Sequence, residues 1–140
     1  MQNVLLAKYG EIALRGKNRH LIENALLKTI SKNLEKVGKY WVSKEQGRVL
    51  IESKEESGLF EYDKVIPLVV NILGITAVCP AIKLDNSDIN NIREKALIHM
   101  KEHWNDKNYT FKVETKRSDK QYSMDSREIS TDIGGYIFDN

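Results

Sequence analysis

The first third of the chain combines short apolar runs with one long amphipathic segment. Residues 4–7 form an apolar run that ends at Tyr9 and Gly10, which is typical of a buried strand closed by a turn. Between residues 21 and 37 the apolar positions recur at helical spacing, and Gly38 follows as a C-terminal stop signal. This pattern predicts a strand followed by a helix.

The next segment predicts a hairpin, a short helix and another strand. Two β-prone runs, residues 40–43 and 48–51, flank a short connection that contains Gly47. Residues 63–73 predict a helix with Pro67 in its first turn, and residues 75–79 predict a strand. The order strand, helix, strand, strand, helix, strand is the split βαβ arrangement called ferredoxin-like. We expect this domain to span residues 1–84.

A second unit is predicted for residues 85–140. A polar break at 85–88 supplies N-cap residues for a helix that ends near Trp104. Residues 110–117 alternate apolar and charged positions, which predicts a half-buried strand. Asp125 and Glu128 resemble a capping box at the start of the last helix. Helix, strand and helix are too few elements to bury a two-sided sheet, so we predict an α+β chain whose second, α/β domain is truncated.

Charge is distributed unevenly although the net charge is only +2. Residues 1–44 contain nine Lys and Arg against three acidic residues, and residues 107–127 contain six against three. Such concentrations are typical of surfaces that bind a polyanion. The single cysteine, Cys79, excludes an internal disulfide, fits a reducing cytoplasmic compartment and is expected to be a small buried hydrophobic residue. No apolar run approaches the roughly 18 residues that a membrane span requires.

Two groups of residues are candidates for binding nucleic acid. The first lies at the entrance to the first helix, where unpaired N–H groups favour a phosphate, although a solvated basic loop explains it equally well. The second combines cations with one aromatic ring that can stack on a base. An ordinary solvated polar face of a sheet is the simpler explanation of the same charge pattern. The candidates are Arg15, Lys17, Arg19, Lys112, Lys116, Arg117, Lys120, Tyr122 and Arg127.

Two other motifs carry less weight. His99 and His103 match an H-x-x-E-H zinc-peptidase pattern, which we reject because a third ligand would have to come from elsewhere and so short a pattern recurs by chance. Gly134 and Gly135 interrupt a helical stripe at a cost of about 1 kcal/mol each relative to alanine. Either a neighbouring strand or an RNA phosphate is expected to approach that backbone.

Three segments together resemble the tRNA 4-thiouridine synthetases, the ThiI family. These are Tyr9-Gly10-Glu11-Ile12-Ala13-Leu14-Arg15-Gly16-Lys17-Asn18-Arg19, Phe111-Lys112-Val113-Glu114-Thr115-Lys116-Arg117, and Ser126-Arg127-Glu128 through Gly134-Gly135. The last two alone would indicate only a THUMP domain, which several tRNA-modifying enzymes share. The resemblance covers the whole chain.

The resemblance implies a ferredoxin-like domain followed by a THUMP domain that binds the acceptor arm and 3′ end of tRNA. In that family a later domain uses ATP with magnesium to adenylate a tRNA uridine, and a persulfide sulfur then displaces the adenylate. It further implies a cysteine desulfurase as sulfur donor, a link to thiamine thiazole synthesis, and it allows a homodimer. The family's Ser-Gly-Gly-x-Asp-Ser loop does not occur in these 140 residues, so we expect no catalytic residue and no cofactor in them.

Two other classes of function remain open from the sequence. A ferredoxin-like domain with cations after its first strand also fits a small acylphosphatase-like hydrolase. A protein-interaction module without RNA is the third hypothesis. RNA binding should weaken steeply as salt rises, whereas an apolar protein contact should not.

Overall fold

The computed structural model describes residues 2–10, 18–45, 47–57, 59–104, 110–117 and 119–140. The chain divides into two compact units, Met1–Lys83 and Leu84–Asn140. In the part of the chain that is described, no helix combines the length and the apolar character needed to span a membrane.

The first unit has the predicted ferredoxin-like arrangement, which confirms the predicted α+β class. Its four strands form one antiparallel sheet in the order β2-β3-β1-β4, so β1 lies between β3 and β4. The elements are β1 (Gln2–Tyr9), α1 (Arg19–Leu34), β2 (Tyr40–Glu45), β3 (Arg48–Ser53), α2 (Tyr62–Val70) and β4 (Ile75–Lys83).

Two helices and the sheet share one apolar core. Leu5 in β1 pairs with Ile51 in β3, and both side chains are fully buried. From the helices, Ile30 and Val65 enter the same cluster. Residues of one strand face alternate sides of the sheet, so this core lies on one side of it. Tyr62 links α2 to the sheet, because its hydroxyl donates to the backbone oxygen of Val4 at 2.8 Å.

The second unit contains two helices that pack against each other, α3 (Ile89–His103) and α4 (Ser126–Asp139). Both begin as predicted: Asp88 caps α3 by accepting from the backbone N–H of Asn90, and Asp125 caps α4 by accepting from Glu128 at 2.8 Å. A bidentate ion pair between Arg93 and Asp132 joins the two helices.

The strand predicted over residues 110–117 is absent from the structure, because no neighbouring strand pairs with this described segment. Its alternation is nevertheless present. Val113 and Thr115 are half-buried, whereas Lys112, Glu114 and Lys116 are exposed. The periodicity predicted the faces of residues 112–116 correctly, whereas Phe111, expected on the inward face with Val113 and Thr115, is exposed. A strand also requires a partner with which to form ladder hydrogen bonds.

Two details of the first unit differ from the sequence predictions. Pro67 lies in the second turn of α2 and not in the first, since it is the sixth residue of a helix that begins at Tyr62. Cys79 is exposed, and its predicted burial is wrong. The reason is topological: β4 is an edge strand of the sheet, and Cys79 pairs with Leu6, whose neighbours Leu5 and Ala7 are the residues that enter the helix-side core.

Candidate nucleic-acid interface

Arg19, the first residue of α1, is held by a buried carboxylate. Its Nε donates to Oε1 of Glu23 at 2.7 Å, one helical turn further on. The other carboxylate oxygen of Glu23 lies 2.7 Å from Nζ of Lys44, which belongs to β2. Arg15 and Lys17, the other cations predicted for this loop, lie outside the described residues.

The electrostatics of this trio follow from its burial. The side chain of Glu23 is only 3% exposed, while those of Arg19 and Lys44 are 57% and 43% exposed. The hydrogen bonds from Lys44 and then Arg19 hold the pKa of the Glu23 carboxyl below its ordinary value, and they outweigh the opposing effect of burial. The result is one buried anion beneath two partly exposed cations.

The extended segment 110–117 lies along α4 through its inward side chains. The hydroxyls of Thr115 and Ser130 are 2.7 Å apart, and a Cβ placed on Gly134 would lie 3.7 Å from Cγ2 of Val113. The outward side chains carry the predicted cations Lys112 and Lys116. The nearest described carboxylate to Lys112 is that of Glu114, at 3.5 Å between two strongly exposed side chains, a contact that contributes little.

Arg117 and Tyr122 use their polar groups to hold the turn before α4. Nη1 of Arg117 donates to the backbone oxygens of Tyr122 and Met124, at 3.3 and 3.0 Å. The hydroxyl of Tyr122 donates to the backbone oxygen of Ser87 at 2.6 Å, which ties the turn to the segment before α3. Both side chains are half-buried, so each contributes to the structure of the unit.

Three other predicted cations lie on this turn and its two flanks with exposed side chains. Lys116 precedes the turn, Lys120 lies within it, and Arg127 occupies the first turn of α4. The capping bond from the Glu128 backbone holds the pKa of nearby Asp125 below its ordinary value. The structure therefore places Lys120 on a turn that Arg117 and Tyr122 brace, with Lys116 and Arg127 on its two flanks.

The two histidines of the rejected zinc pattern have their rings in contact, at a tilt of 58°. The ring centroids of His99 and His103 are 4.3 Å apart, and Trp104 meets both rings edge-on at 5.9 Å. Burial, and secondly the charge of His103, lower the pKa of His99. Within the described ranges, no three histidine, cysteine or acidic side chains are grouped so that they could hold a metal ion.

Sequence reasoning missed Glu23 and Lys44. The sequence pattern ends the first β-prone run at residue 43, whereas β2 extends to Glu45 and includes Lys44. The signal was present: Tyr40, Val42 and Lys44 alternate along β2, and the first two pack against the core. The same alternation places Lys44 on the side of the sheet that carries α1.

Comparison with family models gives a match for each unit. Residues 4–79 match the model of the ThiI ferredoxin-like domain, and residues 86–140 match that of the THUMP domain.

Curated relatives extend the similarity to almost the whole chain. The chain is 40% identical over 139 residues to the "Probable tRNA sulfurtransferase" of Lachnoclostridium phytofermentans, covering 99% of this chain and 35% of the relative. It is 42% identical over 141 residues to the protein of the same name from Acetivibrio thermocellus, again covering 35% of that protein. The chain thus spans about a third of the length of these relatives.

Two solved structures share the fold. The crystal structure of PH1313 from Pyrococcus horikoshii superposes with a TM-score of 0.80 at 23% identity, covering 99% of this chain and 45% of that one. A 4-thiouridine synthetase, crystallised as an RNA complex with bound ATP, superposes with a TM-score of 0.76 at 30% identity. That match covers 100% of this chain and 34% of the synthetase.

Proposed function

The chain belongs to the ThiI family through its ferredoxin-like domain, and on that premise we propose that it is the tRNA-binding region of a tRNA sulfurtransferase. The observation that carries the proposal is the match of the whole chain, at 30% identity, to a 4-thiouridine synthetase that was crystallised with RNA. The target of binding is the acceptor arm and 3′ end of tRNA, as the family resemblance implies.

The residues proposed to contact RNA have two different roles. Lys112, Lys116, Lys120 and Arg127 are exposed, so their charges are accessible to phosphate oxygens. Arg117 and Tyr122 shape the turn that presents these cations, because their polar groups bind backbone oxygens of the same unit. The half-buried Tyr122 also carries an aromatic ring of the kind on which a terminal base can stack.

The chemistry of the whole protein belongs to segments outside these 140 residues. We propose ATP-dependent adenylation of a tRNA uridine, followed by transfer of sulfur supplied through a cysteine desulfurase, with a further link to thiamine thiazole synthesis. The 140 residues contain no Ser-Gly-Gly-x-Asp-Ser loop that would hold ATP. The role of this chain's own residues is therefore to bind and orient tRNA for chemistry elsewhere.

Purified residues 1–140 should neither hydrolyse ATP nor thiolate tRNA.

Charge removal on the braced turn tests the proposed function. In the full-length protein, K116A/K120A/R127A should weaken tRNA binding for every tRNA tested, because contacts to phosphate carry no sequence information. K64A and K101A, which remove exposed lysines from α2 and α3, serve as controls and should change affinity much less. Unchanged affinity of the triple variant at low salt would remove this turn from the RNA interface.

A further inference from the structure

The trio of Arg19, Glu23 and Lys44 joins two elements of the first unit that are distant in sequence. Glu23 projects from the second turn of α1, and Lys44 projects from β2. Each oxygen of the Glu23 carboxylate has one cation at 2.7 Å, Nε of Arg19 on Oε1 and Nζ of Lys44 on Oε2. Both cations are therefore fixed relative to each other by one carboxylate.

The burial of Glu23 makes this arrangement persistent. A carboxylate that is 3% exposed has lost almost all of its hydration, and among the described residues its two ion partners compensate for that loss. A pair of exposed charges separates and re-forms at little cost, whereas separation here would leave a buried anion unpaired. Arg19 and Lys44 are thus held in place more firmly than typical surface cations.

The exposed side of the trio is suited to an anion. The cations of the trio are the members that reach solvent, at 57% and 43% exposure, whereas the carboxylate is buried. The first turn of α1, Arg19-His20-Leu21-Ile22, contains no acidic residue that would compete for the positive end of the helix dipole. A guanidinium and an ammonium that bind the same carboxylate can both donate to the oxygens of a phosphate group.

We propose that Arg19 and Lys44 form a phosphate clamp for the RNA backbone, with Glu23 as its positioning residue. The proposal rests on the proposed function and adds Lys44 and Glu23 to the interface. Binding a phosphate normally requires long cationic side chains to lose rotamer freedom. Here the buried carboxylate has already ordered both side chains, so more of the interaction energy appears as affinity.

The experiment must avoid leaving Glu23 buried without partners, because an unpaired buried charge strongly destabilises the fold. We therefore compare two full-length variants in which residue 23 is neutral, E23Q and E23Q/K44Q. They differ only in the cation, and circular dichroism checks that both are folded. Removal of Lys44 from E23Q should weaken tRNA binding about tenfold at low salt. It should also reduce the slope of log affinity against log salt by roughly 0.7 to 0.9.

Two further variants separate a clamp from a purely structural ion pair. K44R keeps the charge and should bind tRNA as the wild type does. K64Q is the matched control, since Lys64 also forms an ion pair, with Nζ 3.3 Å from the exposed carboxylate of Glu61. K64Q should leave affinity and salt slope unchanged. Equal affinity and slope for E23Q and E23Q/K44Q would overturn the clamp.

Failure of the clamp is distinguishable from failure of the proposed function. If the wild-type protein binds tRNA and K116A/K120A/R127A weakens it, the proposed function holds whatever Lys44 does. If the wild-type protein binds no tRNA in the same titration, the proposed function and the clamp are both refuted.

Discussion

At the scale of single residues, exposure and hydrogen bonding separate two neighbouring cations that look equivalent in sequence. Lys116 is exposed, whereas Arg117 is half-buried and donates to the backbone oxygens of Tyr122 and Met124. Alternation along the extended segment explains the difference, since successive side chains point to opposite sides. Replacement of Arg117 should therefore lower stability, whereas replacement of Lys116 should weaken tRNA binding.

Replacing Arg117 by alanine should destabilise the second unit, because two backbone oxygens lose a charged donor. We expect a loss of about 1–3 kcal/mol in the free energy of unfolding, measured by urea denaturation. K116A should change that free energy by less than about 0.5 kcal/mol and should weaken tRNA binding instead. If R117A proved as stable as wild type, the bracing role of this side chain would be wrong.

Ionisation of Glu23 should make the free energy of unfolding depend on pH. Because its folded pKa lies below its ordinary value, the ionised carboxylate stabilises the fold. This contribution is fully present above the unfolded pKa of about 4.3 and is lost as pH falls through the folded pKa. Urea unfolding from pH 7 to pH 3 should show a steeper acid loss for wild type than for E23Q. Parallel curves for the two proteins would mean that the ion pairs contribute nothing to stability.

The sequence shows which residues are cations, but local patterns do not show which of them form ion pairs with residues distant in the chain. Arg19 and Glu23 are an i,i+4 pair within one helix, which the sequence spacing allows, whereas the link from Glu23 to Lys44 depends on how α1 lies over β2. Cys79 shows the same limit, because its exposure depends on the position of β4 at the sheet edge. Such properties arise from strand order, which local patterns do not encode.

At the scale of elements, helices and the hairpin were the most predictable features. The capping residues Asp88 and Asp125 lie where their local sequence placed them, since a cap depends only on the next few residues. Gly47, with a φ of 78°, takes the left-handed conformation that the predicted hairpin connection required. The segment 110–117 shows the converse, because a strand depends on a partner elsewhere in the chain.

Among the described residues, no atom blocks a Cβ atom at Gly134 or Gly135 in α4. No described atom lies within 4 Å of a Cβ placed on Gly135, and Gly134 would make only an ordinary contact with Val113. Gly135→Ala should therefore stabilise the helix by about 0.5–1 kcal/mol, because alanine loses less backbone entropy. Urea denaturation measures this gain. A destabilised G135A protein would show that something occupies that space, as the sequence analysis anticipated for this backbone.

At the scale of the whole molecule, both units carry exposed cations. The first unit contributes Arg19 with Lys44, and the second contributes the braced turn with Lys116, Lys120 and Arg127. In the first unit a buried carboxylate binds both cations, and in the second the hydrogen bonds of Arg117 and Tyr122 hold the backbone of the turn. We expect one polyanionic ligand to bind the basic residues of both units.

Joint binding of one tRNA by the two units makes a quantitative prediction about salt. Each phosphate contact removed should reduce the slope of log affinity against log salt by roughly 0.7 to 0.9. In the full-length protein, R15A/K17A/R19A and K116A/K120A/R127A should each flatten the slope. The combined variant should lose the sum of the two reductions, since distant sites that act independently are additive.

The competing arrangement gives a different set of results. If the basic residues of the first unit only support their own domain, R15A/K17A/R19A should lower the melting temperature and leave the salt slope unchanged. The combined variant would then have the slope of K116A/K120A/R127A alone. Three cations within five positions are rarely needed for packing, and charged residues are seldom fully buried, so we expect the additive result. Titrations at several salt concentrations, with circular dichroism as the check on folding, decide between the two arrangements.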